Sequence, residues 1–487
     1  MSLYGEGDSK RVVPDNAAKA AESYRSPWRR DFARLIHSPS FRRLQGKTQV
    51  FPGHESDFYR NRLTHSLEVA QIAKSIAIRL NATEPLFEKD KLEPDIVEFA
   101  GLAHDLGHPP FGHNGEEALD ECMRNHGGFE GNAQSLRIVS RLEKKTTAYQ
   151  VDGTIRPFDV NNEDVRRGLN LTYRSLAAIL KYDNIIPERA ADREKPREVV
   201  KGYYAEEDYL VRKIKENVIG ANFSDKIKTI ECSIMDIADD IAYSTYDLED
   251  NLKAGFLTPM GLFALDDDIY VGVAKTIKDR AAKQYPEFDN GVIDADLVRQ
   301  TLYFVFKEML FGVDDELKAT VRSRDLGWGV KKMMVAAEVQ DLSRNLARDG
   351  YQRVQFTSQL VQVFLSNLEI VPHQKHPQLH NVRLTLPAFL HVEVLKNVTF
   401  HAIIKSPGLQ VVEYRGKDII KSIFKSLNQA NGARLLPDDF QAICRDAPEM
   451  RRMRAICDFI AGMTDRYALE FYGRLFGTNQ LTIHKPL

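Results

Sequence analysis

The sequence has little of what marks secreted and membrane proteins. Its 487 residues include only four cysteines, Cys122, Cys232, Cys444 and Cys457, with no CxxC pair and no regular spacing. This scarcity excludes a disulfide-stapled scaffold and favours a reducing compartment. No run of about 18 apolar residues occurs, and the first residues lack the apolar stretch of a signal peptide. We therefore expect a soluble, cytoplasmic protein with no membrane partner.

The charge balance also lacks an excess of either sign. Lys and Arg number 67 against 69 Asp and Glu, a net charge of −2, so no global positive field argues for a nucleic-acid partner. Local basic clusters remain as candidates, at Arg29-Arg30, Arg42-Arg43 and Arg451-Arg452. Apolar residues make up 43% of the chain, which is ordinary for a globular protein. A chain of this length buries one large core or two lobes.

Strand signals are few, and the pattern predicts a mainly α protein. A helical pattern with Gly and Pro breaks runs from Ser26 to about Leu252, and the charged segment 186–201, with two prolines, indicates a surface loop. The run Leu409–Tyr414 fits either a strand or a buried helix. Further helical patterns lie at 294–312, 331–348, 354–368, 417–428 and 450–473.

These patterns divide the chain into three parts. Residues 1–25 are polar and fit a loose segment or a short N-terminal arm. We expect a domain with an α-helical core at 26–255 and an additional C-terminal helical domain at 256–487.

Two histidines and two aspartates stand on predicted apolar helix faces: His65, the adjacent pair His104-Asp105, and Asp239. A buried carboxylate is costly unless something compensates for it. A single histidine on an apolar face is more often a satisfied core residue than a ligand. Four such groups together favour a metal site, since imidazole and carboxylate suit divalent ions such as Mn²⁺, Fe²⁺, Zn²⁺ or Mg²⁺.

The order His … His-Asp … Asp on separate helices resembles the HD-domain metallophosphohydrolases. Longer strings in about the first half of the chain resemble one branch of them, the deoxynucleoside triphosphate triphosphohydrolases of the dGTPase family. Those strings are FRRLQGKTQVF (41–51), NRLTHS (61–66), HDLGHPPFGHNGE (104–116), FEGNAQ (129–134) and ADDIAYSTYDLED (238–250). An HD pair alone would be common by chance, whereas five ordered strings are not.

The resemblance implies that His65, His104, Asp105 and Asp239 bind a divalent ion, Mn²⁺ or Mg²⁺ in first place, with Fe²⁺, Ni²⁺ or Zn²⁺ as further options. Such an ion eases the ionisation of water and polarises a phosphoryl oxygen. Asp239 is preferred to Asp240 because the family has a substrate tyrosine four residues after the ligand, and Tyr243 stands there. In an α-helix Asp239, Tyr243 and Asp247 would share one face.

His113 and Glu116 fall at i, i+3 on the first turn of a predicted helix. Taken alone, they fit a surface histidine and a favourable first-turn acid. The resemblance instead implies a catalytic pair in which Glu116 accepts from one imidazole nitrogen and raises the basicity of the other. It also implies that His108 is a further active-site histidine. Whether His113 acts as acid, base or nucleophile stays open.

The remaining matches concern the substrate. Lys and Arg are mostly solvated, but Arg62 and Lys181 match phosphate contacts, and a triphosphate needs cations around it. Gln49 matches a sugar-contacting glutamine. Tyr243, which fits a core tyrosine equally well, and Asp247 match residues that pack under the deoxyribose and hold its 3′-hydroxyl. The implied reaction is hydrolysis of dGTP, and of further dNTPs, at the α-phosphorus, releasing deoxynucleoside and intact triphosphate.

Two other functions are open alternatives. One is an HD phosphohydrolase acting on nucleoside monophosphates or alarmones; the other is a protein that binds single-stranded DNA through its basic clusters. The resemblance also implies a homo-oligomer, with an effector nucleotide between subunits that the 186–201 segment could serve. The histidine tract PHQKHPQLH (372–380) contains two prolines and fits a solvated loop. Met463–Arg466 resembles a family segment without a residue-by-residue match.

Overall fold

The computed structural model describes residues 2–14, 24–49, 60–147, 150–151, 154–155, 157–161, 163–311, 328–404 and 407–477. In these ranges β structure is confined to two-stranded pairs and isolated bridges, so the predicted mainly α class is confirmed. Residues 15–23 of the predicted arm, residues 50–51 of the first family string and the end of the predicted helix 294–312 lie outside the described residues. None of the described helices is long and apolar enough to cross a membrane.

The chain forms two compact units, and neither is a single stretch of sequence. The first unit comprises Met1–Ala238, Ile370–Val382 and Val411–Leu487, and the second comprises Asp239–Glu369 and Arg383–Gln410. The domain limits expected at residues 25 and 255 stay predictions.

The first unit contains the family strings except for most of the last one. Its helices are Pro27–Ile36 (α1), Pro39–Arg43 (α2), Arg62–Thr83 (α3), Pro94–Ala103 (α4), Gly112–Met123 (α5), Gly131–Arg137 (α6), Tyr173–Ala178 (α7), Asp208–Val218 (α8) and Ile230–Ala242 (α9), the last of which runs on past the unit boundary. Its short pairs are antiparallel Gln150–Val151 (β1) with Thr154–Ile155 (β2), and parallel Ile185–Ile186 (β3) with Tyr203–Tyr204 (β4). A π-helical turn, Ile138–Leu142, follows α6.

The second unit is also built of helices. A π-helical turn, Tyr243–Asp247, continues α9. The helices are Leu248–Lys253 (α10), Pro259–Phe263 (α11), Asp267–Gln284 (α12), Ala295–Phe311 (α13), Trp328–Arg348 (α14), Gly350–Ser366 (α15) and Leu386–Ile404 (α16). Strands Leu368–Val371 (β5) and Asn381–Leu384 (β6) pair with each other, and each begins in one unit and ends in the other.

The C-terminal helices return the chain to the first unit. They are Pro407–Leu427 (α17), Asp438–Cys444 (α18), Glu449–Ala461 (α19) and Asp465–Phe476 (α20). The run Leu409–Tyr414 belongs to α17, so of the two interpretations the helix was right and the strand wrong. Val411 and Tyr414 are exposed, so the expected burial was wrong at these two positions. Proline at the first position of α17 starts the helix earlier than the apolar periodicity predicted. Short 3₁₀ turns occur at Leu44–Gly46, Pro85–Phe87, Ala190–Asp192, Ala205–Glu207, Asn290–Val292, Pro377–Leu379 and Gly432–Leu435.

Helix α3 starts where its sequence predicts and buries the predicted stripe. Asn61 and Thr64 form a capping box, which satisfies two backbone donors at the helix start. His65, Val69, Ile72 and Ile76 are all buried. The helix therefore carries its histidine into the core together with apolar side chains.

Helices α3 and α4 pack closely enough to bring their histidines together. A Cβ atom at Gly101 would lie 2.6 Å from Cα of Ala70, which no side chain tolerates. Any larger residue at position 101 would push α4 away from α3. The glycine is thus required for the spacing of the helices that carry His65 and precede His104.

The N-terminal residues pack against the core instead of forming a loose arm. Leu3 and Asp8 are buried, and the Tyr4 hydroxyl donates to Glu231 at 2.7 Å. The buried Arg174 binds Glu231 at 2.9 Å and Asp8 at 3.4 Å. The expectation of a loose segment was therefore wrong for residues 2–14, because polar composition did not reveal these buried ionic partners.

Candidate metal centre and catalytic loop

The candidate centre begins with two buried imidazoles from neighbouring helices. His65 and His104 are 1% and 7% exposed, and their ring centroids lie 5.5 Å apart. His104 caps the end of α4, and its Nδ1 lies 2.7 Å from the carbonyl oxygen of Gly101. That contact requires Nδ1 to carry the proton, which leaves the lone pair on Nε2. A histidine held by a backbone carbonyl in this way is typical of a metal ligand.

Asp239 stands on α9, a helix that begins in the first unit. Its carboxylate and the imidazoles of His65 and His104 offer three ligand atoms that all lie within 4.8 Å of one another. Asp240 has other partners, since it binds Arg280 at 2.9 Å and also Lys396. This arrangement is consistent with choosing Asp239 over Asp240. No second group of three or more such ligands occurs among the described residues, and the histidines of the 372–380 tract form none.

Asp105 adds a second carboxylate at the edge of this group. One of its oxygens accepts from Arg62 at 2.6 Å; the other lies 2.9 Å from Nδ1 of His108 and 3.3 Å from Nε2 of His104. Burial raises the pKa of the Asp105 carboxyl, but His104, His108 and Arg62 outweigh it and hold that pKa well below its usual value. An ionised carboxylate beside two imidazoles is a donor set that fits a divalent cation.

His113 and Glu116 form the predicted pair at the start of α5. Nδ1 of His113 lies 3.1 Å from Glu116, whose second oxygen accepts from the backbone N–H of Gly131 at 2.8 Å. The His113 side chain is 67% exposed, whereas that of Glu116 is buried. Burial raises the pKa of Glu116, but the hydrogen bond from His113 and the charge of Lys201 outweigh it and hold that pKa far below its usual value. Glu116 is therefore an ionised acceptor that keeps the proton of His113 on Nδ1.

His108 lies between the two groups. Its ring centroid is 5.5 Å from that of His113, and its Nδ1 faces Asp105. Burial, reinforced by the charge of Arg62, lowers the pKa of His108 to about 4. The imidazole is therefore neutral at neutral pH. The stretch from His104 to Glu116 thus connects the buried His65–His104 group to the exposed His113.

The substrate candidates occupy different surroundings. Arg62 is buried and held by Asp105. Gln49 is half-buried in the segment before α3, and its side-chain oxygen accepts no hydrogen bond within the described part of the chain. Lys181 binds Asp236 at 2.6 Å, and Lys228 binds the same carboxylate. Asp236 lies one turn before Asp239 on α9, so Lys181 is held near that helix by an acid that the sequence interpretation did not consider.

Tyr243 and Asp247 lie in the π-helical turn Tyr243–Asp247 of the second unit. A π turn places one extra residue in each hydrogen-bonded ring, so the predicted i, i+4, i+8 face of an uninterrupted α-helix is not kept there. Asp247 is buried, and the ammonium of Lys396 lies 5.8 Å from the centroid of the Tyr243 ring.

Several residues near the site were not selected from the sequence. Glu130 is fully buried at the start of α6 and binds Lys201 at 3.2 Å, while Lys201 also lies 3.8 Å from Glu116. Lys47 and Asp465 contact the loop after His104. Glu130 and Lys47 stand inside strings that resemble the dGTPase family, and Asp465 stands in the unmatched segment Met463–Arg466. Their position in these family-like segments was the signal in the sequence that could have selected them.

Comparisons with known proteins cover both the N-terminal and the C-terminal parts of the chain. The HD domain profile matches residues 62–160, and the profile of the phosphohydrolase-associated domain matches residues 382–474. The chain is 44% identical, over the full length of both proteins, to deoxyguanosinetriphosphate triphosphohydrolase-like protein 2 of Mesorhizobium japonicum. It is 33% identical, over 93% of each chain, to the deoxyguanosinetriphosphate triphosphohydrolase-like protein of Aliivibrio fischeri strain MJ11. It is 32% identical, again over 93% of each, to a like-named protein 1 of Vibrio cholerae.

Proposed function

Because this chain belongs to the deoxyguanosinetriphosphate triphosphohydrolase-like family of HD-domain hydrolases, we propose that it hydrolyses deoxynucleoside triphosphates. The substrates are dGTP and further dNTPs, and the products are a deoxynucleoside and inorganic triphosphate. The observation that carries the proposal is the juxtaposition of a buried His, His, Asp group with an exposed His–Glu pair on one loop. That the chain is a hydrolase, and that it is a phosphohydrolase acting on nucleotides, follows from the family alone.

His65, His104, Asp105 and Asp239 would hold the divalent ion, Mn²⁺ or Mg²⁺ in first place and Fe²⁺, Ni²⁺ or Zn²⁺ as alternatives. When bound, the ion lowers the pKa of water and polarises a phosphoryl oxygen. The lone pair that the Gly101 carbonyl leaves on Nε2 of His104, and the ionised Asp105, support this assignment. Arg62 keeps Asp105 in place from its other side.

His113 moves the proton of the reaction. With Glu116 accepting from Nδ1, the exposed Nε2 of His113 is the basic nitrogen. It takes a proton from the water that attacks the α-phosphorus, or delivers one to the 5′-oxygen as the bond between phosphorus and that oxygen breaks. His108 is neutral and lies beside this path, where it would contact the phosphates.

Substrate contacts are assigned on the family resemblance. Arg62 uses one terminal nitrogen for Asp105, and its second lies toward Gly112, where it would reach a phosphate. Lys181 would be the second phosphate contact. Gln49, Tyr243 and Asp247 would bind the deoxyribose, with the tyrosine ring leaving no room for a 2′-hydroxyl.

Product analysis tests the proposal. The purified protein is incubated with Mn²⁺ and each of the four dNTPs, with GTP as the control, and products are resolved by ion-exchange chromatography. Deoxynucleoside with intact triphosphate, and GTP untouched, is the expected result. Orthophosphate or pyrophosphate would instead favour an HD phosphohydrolase acting on monophosphates or alarmones. No turnover of any dNTP, alone or in mixtures in which another nucleotide can act as effector, would overturn the proposal.

Single-stranded DNA binding is a second proposal, added to the hydrolysis. A cavity of about 1520 Å³ in the first unit is lined by eight Lys and Arg side chains and three acidic ones, and it includes Arg30 and Arg43 from two of the basic clusters. Backbone phosphates would meet those cations. We expect the logarithm of the affinity for single-stranded DNA to fall linearly with the logarithm of the salt concentration, and the affinity to weaken in the Arg30→Ala, Arg43→Ala double variant. Binding that ignores salt would contradict this proposal.

Assembly and location complete the proposed function. We propose a cytoplasmic homo-oligomer in which a nucleotide effector binds between subunits, with residues 186–201 as the candidate segment. Part of that segment is fixed in place, because the buried Arg193 binds Asp120 of α5 at 2.7 Å. Deleting the segment should remove activation by nucleotides, and full activation of the deletion variant would contradict this role.

A further inference from the structure

The segment from Ala461 to Asp465 joins the two loops beside the candidate catalytic site. It connects α19 to α20, and it includes most of the Met463–Arg466 motif to which the proposed reaction assigns no role. One loop is Gly46–Gln49, which ends at the proposed sugar contact. The other is His108–Gly112, which leads into the helix of His113 and Glu116. All three stretches belong to the first unit.

Asp465 uses one carboxylate oxygen for each loop. Its Oδ2 accepts from the backbone N–H of Thr48 at 2.8 Å and from the Thr48 hydroxyl. Its Oδ1 accepts from the backbone N–H of Phe111 at 3.0 Å. The residue is only 5% exposed, so water does not replace these partners readily.

Phe111 shows why its loop needs such a support. Its φ of 63° lies in the left-handed region, which is unfavourable for a residue with a bulky side chain. Phe111 also precedes the first residue of α5, so its backbone sets the direction from which that helix starts. Gly416 of α17 packs so closely that a Cβ atom there would lie 3.0 Å from Cβ of Phe111. The strained residue is thus fixed from two sides.

Lys47 makes a second connection between the same stretches. Its ammonium donates to the carbonyl oxygens of His108 and of Ala461, the latter at 2.9 Å, and the residue is 3% exposed. Its own carbonyl accepts from the N–H of Arg62 at 3.2 Å. The adjacent Gly46 approaches Thr464 closely enough that a Cβ atom would lie 2.8 Å from the threonine methyl. The three stretches therefore fit together only in this register.

We propose that Asp465 and Lys47 are positioning residues that hold the Gly46–Gln49 loop and the His108–Gly112 loop in one fixed relation. Sugar recognition at Gln49 and proton transfer at His113 are then set by the same two buried side chains. This role rests on the proposed hydrolysis of dNTPs. A misplacement of about 1 Å far from the reacting atoms can cost roughly 100-fold in rate, so such a support has a measurable effect.

Asp465→Asn tests the role of the carboxylate. An amide has one accepting oxygen, and its nitrogen cannot accept from the Thr48 or Phe111 N–H, so one loop loses its partner. We expect kcat for dGTP to fall at least about tenfold, and the ratio of kcat/KM for dGTP to that for GTP to fall as well. Asp438→Asn, the same change at an exposed carboxyl, is the matched control and should behave as wild type.

Thr48→Val tests the contact of the Gly46–Gln49 loop alone. It also replaces Asp465→Asn as the test if that variant does not fold. It removes only the hydroxyl contact to Asp465. It should raise KM for dGTP and lower the preference over GTP while kcat stays within about twofold. Loss of kcat in either variant with KM and the dGTP preference unchanged would overturn the proposal, because a merely structural role lowers the active fraction for every substrate equally.

Hydrogen exchange tests the positioning role without relying on hydrolysis of dNTPs. In Asp465→Asn, backbone amides of the loop that loses its partner, Gly46–Gln49 or His108–Gly112, should exchange faster than in wild type and in Asp438→Asn. If wild type does not hydrolyse dNTPs but one of these loops exchanges faster, the proposed function fails and the positioning role stands. If exchange is unchanged in both loops, the positioning role fails whatever the activity.

Discussion

The two ends of the candidate site differ in how their side chains are held. At the metal end, His65 and His104 are enclosed by α3 and α4, and Arg62 fixes Asp105 from behind. At the other end, the His113 side chain is 67% exposed and is held by a hydrogen bond to Glu116, with the His108 ring beside it. Packing of two long helices determines the geometry of the first end. A loop and its supports determine the geometry of the second.

On the proposed function, this difference separates binding of the ion from proton transfer. His65 and His104, the proposed ligands, belong to the helix core, so replacing one of them should disturb the ion directly. His113 projects from the start of α5, so its loss should leave the core and the ion unchanged. If the comparison holds, a substitution at the buried end removes metal and turnover together, whereas a substitution at the exposed end lowers turnover and leaves the metal content unchanged.

The largest effect is expected at the buried end. His65→Ala removes one of three closely spaced ligands, and metal affinity should fall by more than about 100-fold, since altering only the partners of a ligand costs about 10–100-fold. Metal content by mass spectrometry and turnover of dGTP should disappear together. His380→Ala, at a buried histidine outside the site, should keep both. Retained metal in His65→Ala would contradict its role as ligand.

The next effect concerns the exposed end. His113→Ala should keep full metal content and fold, and should lower kcat by about 10²–10⁴-fold, the usual contribution of a general acid or base. His373→Ala, also at an exposed histidine, is the control and should leave kcat unchanged. Loss of metal from His113→Ala would break the comparison, because it would place the exposed histidine among the ligands.

The smallest effect is expected at the buried Lys47 and concerns the pH dependence of stability. Burial, reinforced by Arg43 and Arg62, lowers the pKa of Lys47 to about 7. Below pH 7 this lysine is charged in both folded and unfolded chains. Above pH 7 the folded protein has released a proton that the unfolded chain still binds, so the free energy of unfolding should rise by up to about 1.4 kcal/mol per pH unit toward pH 10.

The Lys47→Met variant should lack this rise in the free energy of unfolding. From pH 6.5 to 8.5, the difference in unfolding free energy between wild type and Lys47→Met should grow by about 2 kcal/mol, measured by denaturant titration. Lys145→Met, at an exposed position, controls for the loss of a positive charge. A difference that is constant with pH would show that Lys47 is not constrained by burial.

The sequence allowed prediction of features that depend on periodicity within one element. The stripe of His65, Val69 and Ile72 required only helical spacing, and the His113–Glu116 contact required only i, i+3 neighbours. Contacts between distant segments carry no such signal. The pairing of Lys181 with Asp236, the burial of residues 2–14 and the two contacts of Asp465 each depend on how remote stretches pack. The π turn at Tyr243 was missed because α-helical spacing was assumed beyond Ala242.

The core around α5 has a consequence for synthesis of the chain. Ala118, Leu119 and Met123 share one apolar cluster with Ile420, Ile456 and Phe459, which are made about 300–340 residues later. At about 5–20 residues per second, the ribosome needs roughly 15–70 s to supply that cover. Until then the helix that carries His113 and Glu116 presents an apolar face to the cell. We expect the nascent chain to bind chaperones over this interval, and to reach its final fold only after α19 has left the ribosome.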